Sequence, residues 1–181
     1  MRVYIDTSII IDYVSQHGLA SQGLFTTGRR GQTVAQLYQN AKQVFERIAD
    51  QHQGATSTLT YLEIEDVLYR RLNLTGVAHA QTLRVIAARP IVMETWMVTK
   101  LYNVTVLDLT SAIVERQVRE SELQRRGIRS ADALHMASAI VFDADIVLAG
   151  DDDLLGLNNQ FRNSSGDPIR CVDTHVALGM L

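Results

Sequence analysis

The chain has one cysteine, Cys171, in 181 residues. No internal disulfide can form, and a reducing cytoplasm is the expected compartment. Lysine is nearly as scarce. Lys42 and Lys100 are the only two, and the other basic residues are arginines, several of them paired. The formal net charge is −3. A broad cationic surface is therefore excluded, and any contact with a polyanion must be local. No apolar run approaches the ~20 residues that a membrane span needs. No secretory leader is expected, because Asp6 interrupts the N-terminal apolar run too early. Repeats, low-complexity tracts and signs of a second domain are lacking too. One domain over residues 1–181 is expected, and 46% hydrophobic residues are enough to fill its core.

What is present is a sequence of short apolar runs separated by amphipathic stretches. Arg2 to Ile5 reads as a strand, and Ser8 to Val14 as a helix capped by Thr7 or Ser8. Residues 15–32 carry four glycines and the pair Arg29-Arg30, and read as a long mobile loop insertion. Thr33 to Ala49 is an amphipathic helix. A strand begins at Gly54, and Thr60 caps a helix that runs to about Leu72. Two further helices, 77–88 and 91–102, are expected on either side of Pro90. Val104 to Leu107 reads as a strand of uncertain place in the sheet. A single helix covers Thr110 to Arg126, with Gly127 as its stop. Ser130 caps the helix 131–142. Asp145 to Ala149 and Ile169 to Val172 are the last strands. Strands alternating with helices predict an α/β fold, a three-layer α/β/α sandwich around a central parallel sheet.

Four acids fall at comparable places. Asp6 and Asp151 each follow an apolar strand, and Glu63 and Asp132 each lie in the first turn of a helix. In a doubly wound sheet these positions gather at one edge. Each acid also has a local explanation. Asp6 can cap the following helix. Thr60-x-x-Glu63 fits a capping box. Asp132 suits the positive end of a helix dipole. Asp151 stands in an acidic run that reads as a solvated turn. Four converging carboxylates would repel one another unless a cation joined them. Mg²⁺ is such a cation, a hard ion that prefers carboxylate and water ligands. The donor set is all oxygen, with no His/Cys cluster suited to zinc. His135 reads as a packed helix residue.

Tyr4-Ile5-Asp6-Thr7-Ser8, Thr60-Tyr61-Leu62-Glu63, Ser130-Ala131-Asp132-Ala133-Leu134-His135 and Gly150-Asp151-Asp152-Asp153-Leu154 together resemble the four signatures of PIN-domain nucleases. The resemblance is greatest to the VapC toxins of type II toxin–antitoxin systems, and it covers roughly residues 2–155. It implies a PIN-like fold and a Mg²⁺- or Mn²⁺-dependent endoribonuclease that acts as a homodimer and is neutralised by a cognate antitoxin. Carried over, Asp6, Glu63, Asp132 and Asp151 are the catalytic, metal-binding acids, with Ser8 behind them. Glu65 is the substitute for Glu63. Arg125, Arg126 and Arg129 are candidate RNA contacts; their alternative is a solvated helix end. Two features depart from the family pattern. Ala149 stands where members carry a hydroxyl residue, and the 15–32 loop is long. A haloacid-dehalogenase-like phosphatase would need a second acid at Ser8, and a receiver domain would need a late lysine. The remaining rival is a catalytically weak or inactive PIN-like module that binds RNA or protein.

Overall fold

The computed structural model describes residues 1–16, 27–71 and 78–181. Its centre is an all-parallel five-stranded sheet of order β3-β2-β1-β4-β5. The strands are β1 (Arg2–Ile5), β2 (Gln53–Ser57), β3 (Thr105–Leu107), β4 (Ile146–Leu148) and β5 (Arg170–Val172). The helices among the described residues are α1 (Thr7–Val14), α2 (Val34–Gln51), α3 (Leu59–Arg71), α4 (Ala80–Leu101), α5 (Ser111–Arg119), α6 (Ser121–Arg125), α7 (Ser130–Val141), α8 (Asp152–Leu155) and α9 (Thr174–Ala177).

Strand pleating divides the core in two. Val3, Ile5, Ile146, Leu148 and Val172 point to one face, where they pack with α1, α2, α4 and α9. Tyr4, Ala55, Val147, Ala149 and Cys171 point to the other, against α6, α7 and α8. Both faces are covered, which gives the three expected layers. β3 lies at the edge beside β2, which settles its place in the sheet.

Three boundaries differ from expectation. α4 runs unbroken through Pro90. Burial of Ile91, Thr95, Val98 and Tyr102 on the turns that follow outweighs the one backbone bond that proline cannot make. In the expected 110–126 helix there is a break at Glu120, whose ψ is 90°. Ile113 and Leu123 are both buried. A continuous helix would set them about 80° apart, and the break lets both reach the core. The third is the 15–32 loop. Residues 17–26 lie outside the described residues, as do Leu72 and Val77. Residues 27–32 form a tight turn. Arg29 and Gln32 pair across it, and Arg30 and Gly31 take positive φ of 49° and 75°, the pattern of a two-residue primed turn.

Candidate active site

Parallel strands send all their carboxyl ends to one edge, and the site lies there. Asp6 follows β1 and caps α1, its Oδ2 accepting the Ser8 N–H at 3.0 Å. The Ser8 hydroxyl donates to the same oxygen at 2.5 Å and accepts the Gly150 N–H at 2.8 Å. Ser8 therefore joins the end of β1 to the end of β4. Asp6 is both a cap and a site residue, since its other oxygen, Oδ1, lies 3.7 Å from His135 Nε2.

Glu63 does not form the capping box. Ser57 Oγ accepts the Leu59 N–H, and Thr60 sits inside α3 with its hydroxyl bonded to Thr56 and Thr7. Freed from the helix end, Glu63 Oε2 accepts from His135 Nε2 at 2.7 Å and from the Thr7 hydroxyl. Burial opposes ionisation of Glu63, but the His135 and Thr7 bonds prevail and its pKa lies below the usual value. His135 is fully buried, and its Nδ1 is 2.8 Å from the Tyr4 hydroxyl. Burial pushes the imidazole pKa down, while the Glu63 bond and the charge of Asp6 push it up and win.

Asp132 and Asp151 complete the edge. Arg129, not Ser130, is the N-cap of α7 and makes no side-chain cap bond. Asp132 is thus in the first turn, where the dipole favours a negative charge. Its pKa is nevertheless raised to about 6, by burial and then by the charges of Asp151 and Asp6. The dipole explanation is outweighed by like charge. Asp132 Oδ2 is buried with no hydrogen-bond partner. Asp151 caps the short α8 through the Leu154 N–H at 2.9 Å. It is partly buried, while Asp152 is exposed, and burial followed by the charge of Asp6 raises its pKa.

Asp6, Glu63 and His135 each present a donor atom within 4.8 Å of the others. An imidazole thus stands among the carboxylates, but its Nε2 donates to Glu63, so it braces that acid and leaves the oxygens as the candidate metal donors. His135 is four positions after Ala131, on the α7 face turned to the sheet. Its period gave away its burial, but only the fold could supply Tyr4 and Glu63 as its partners. Asp6 lies close enough to raise the pKa values of Asp132 and Asp151, and the buried Asp132 Oδ2 has no hydrogen bond, with only Arg129 Nε at 3.5 Å beside it; these carboxylates are chemically suited to a divalent cation. A cleft of about 430 Å³ opens beside them, lined by Leu62, Glu63, Asp66, Val67, Arg129 and Asp132. A hollow of about 490 Å³ lined by Arg2, His52, Asp143 and Asp145 is at the opposite edge, away from these acids.

The remaining candidates divide. Glu65 is exposed. Arg125 and Arg126 are paired with Glu122 on their own helix. Arg129 Nε reaches the cleft, 3.5 Å from Asp132 and 3.4 Å from Asp153. Ala149 is buried and brings no hydroxyl. A second cluster has no signal in the sequence: the buried acids Asp12 and Asp173, which hold Arg29 and Arg30.

No protein-family model matches the chain, and no curated protein matches it. Among solved structures it is similar to a chain of VapBC2 from Rickettsia felis, crystallised with a DNA fragment from the promoter. The TM-score is 0.54, with 11% sequence identity over 96% of this chain and 100% of that one. The chain has a PIN-like fold. In that PIN-like frame the acids of β1, α3, α7 and β4 all stand at the carboxyl edge of the sheet. No described helix is long and apolar enough to cross a membrane.

Proposed function

We propose that the protein is a Mg²⁺- or Mn²⁺-dependent endoribonuclease and the toxin of a type II toxin–antitoxin pair. The observation that carries the reading is that Asp132 and Asp151 are part-buried at the carboxyl edge, close enough to the charge of Asp6 for it to raise their pKa values, beside the Asp6–Glu63–His135 group. Proteins keep ionisable acids that close together chiefly where chemistry uses them.

Asp6, Glu63, Asp132 and Asp151 hold the metal. When bound, the ion neutralises charge on the scissile phosphate and lowers the pKa of a water. Ser8 and Thr7 fix the Asp6 and Glu63 oxygens, and His135 orients Glu63 from behind. Arg129, at the mouth of the cleft, contacts an RNA phosphate, with Arg125 and Arg126 further out on the approach. The PIN-like unit spans residues 1–181, with residues 15–32 as an insertion, and the protein works in the cytoplasm.

The likeness to VapBC2 and the four sequence signatures support an antitoxin partner. α4 leaves Met93, Trp96, Met97 and Leu101 exposed, which suits protein contacts such as those of an antitoxin or a second subunit. Ala149 favours a second reading, a weakly active PIN-like binding module.

Cleavage of a mixed RNA pool decides between them. The wild type should cut with Mg²⁺ or Mn²⁺ and stop in EDTA, and Asp6→Asn should not cut. Equal cleavage by both proteins in EDTA would sink the nuclease site. No cleavage under any metal would favour the binding module.

A further inference from the structure

Arg29 and Arg30 lie outside the acid cluster, yet their side chains run along the ends of three neighbouring strands. Arg29 grips both carboxylate oxygens of Asp12, Nη1 at 2.7 Å and Nη2 at 2.5 Å, and its Nη2 is 3.4 Å from Asp173 Oδ1. Asp12 is on α1, which follows β1, and Asp173 follows β5; both are buried. Arg30 Nη1 donates to the Gly150 carbonyl at 2.7 Å and lies 3.3 Å from Asp173 Oδ2, and its Nη2 pairs with Asp152. Gly150 and Asp152 are the two neighbours of Asp151.

The fit between this pair and the β4 end is tight. A Cβ on Gly150 would lie 2.7 Å from Arg29 Cζ and 2.9 Å from Ser8 Oγ. Glycine thus lets the guanidinium press against the backbone that carries Asp151. The hydrogen bonds of both arginines go to Asp12, Asp173, Asp152 and the Gly150 carbonyl. They do not neutralise Asp6, Asp132 or Asp151, so their charge alone is a disadvantage beside a cation site.

We propose that the Arg29–Arg30 turn is a positioning clamp that fixes the Gly150–Asp152 backbone and so aims the Asp151 carboxylate into the metal site. The proposal rests on the metal-site reading above. Arg29 anchors the turn to α1 and β5, and Arg30 carries the anchorage to β4, which lies between them in the sheet. Outer partners of this kind tune metal affinity without touching the ion.

Charge and position predict opposite signs. Loss of a nearby positive charge by itself tightens cation binding; loss of a clamp weakens it. The probe is Mn²⁺ alone, titrated calorimetrically into the full chain. Arg30→Gln should bind Mn²⁺ about 10-fold more weakly than wild type. Its melting temperature in EDTA should fall by only a few degrees, since the Asp152 pair is exposed and the buried Asp173 keeps Arg29 as a partner. Arg30→Lys should not restore affinity, because an ammonium lacks the planar fork that reaches a carbonyl and two carboxylates together. The double variant Asp12→Asn/Arg29→Gln, which strands no buried charge, should weaken binding in the same way. Unchanged or tighter binding by Arg30→Gln overturns the clamp alone. A wild type that binds no Mn²⁺ overturns the metal-site reading and the clamp with it.

Discussion

His135 Nε2 lies 2.7 Å from Glu63 Oε2, and this one contact ties α7 to α3 across the end of β1. The imidazole is wholly buried, and the carboxylate is largely covered. His135→Ala should therefore cost about 3 kcal/mol in chemical denaturation, the low end for breaking a buried pair. It should also lower cleavage by releasing Glu63. In a double-mutant cycle with Glu63→Gln the two losses should be less than additive. Simple additivity would mean that the contact carries no energy.

Metal should bind only the folded protein. At 100-fold excess over its dissociation constant, Mn²⁺ should add about 2.7 kcal/mol to the stability of the wild type. Asp6→Asn should gain much less while still melting cooperatively, because asparagine can keep the cap on α1. Thermal melts with and without Mn²⁺ check this, and equal gains in the two proteins would remove Asp6 from the site.

Asp132 should make metal-free stability depend on pH. Its pKa is about 6 in the fold, against 3.8 as the reference value. The folded state then binds more protons than the unfolded state between those limits, so this residue's contribution falls as pH rises through them. Asp151, also raised, contributes with the same sign and Glu63 and Asp143 with the opposite one, and a comparison with Asp132→Asn isolates the effect. In EDTA the variant should gain on the wild type by several degrees between pH 4 and about pH 6.5. A constant difference in melting temperature would show that Asp132 is not under like-charge pressure. Asp132 is the cleaner residue for this test, since Asp6 Oδ2 is occupied by two bonds from Ser8.

Arg129 should matter more to RNA than its neighbours do. Arg129→Gln should weaken RNA binding and reduce the salt slope by about 1. Arg125→Gln and Arg126→Gln should have smaller effects, because both guanidinium groups are engaged by Glu122. Equal effects from all three would place the RNA along α6 instead of in the cleft.

Much of this architecture is readable from pattern. Val3-Tyr4-Ile5 and Ile146-Val147-Leu148 are continuous apolar runs because both faces of a parallel strand are covered. That Asp6, Glu63, Asp132 and Asp151 belong to one edge of the sheet is readable from strand ends and the helices that follow them, whereas the close group of Asp6, Glu63 and His135 is not. Local rules failed where distant residues had the stronger claim. Thr60 fits a cap, but Thr56 and Thr7 take its hydroxyl. Pro90 signals a break, but the buried turns that follow hold the helix together. The partners of Arg29 and Arg30 are more than a hundred positions away for Asp173 and Gly150. No periodicity encodes such pairs. Asp12 reads like any polar residue late in a helix, although it is among the most buried charges of the fold.

The strand order has a consequence for synthesis. β1 is made first, yet its neighbour β4 begins only at Ile146, and Asp151 follows later still. A nascent chain that stops short of Ile146 has Asp6 and Glu63 but neither the β1–β4 pairing nor Asp151. Contacts so distant in sequence also form slowly. A carboxyl edge that carries Asp6 and Asp151 together thus exists only once β4 has been made and has paired with β1.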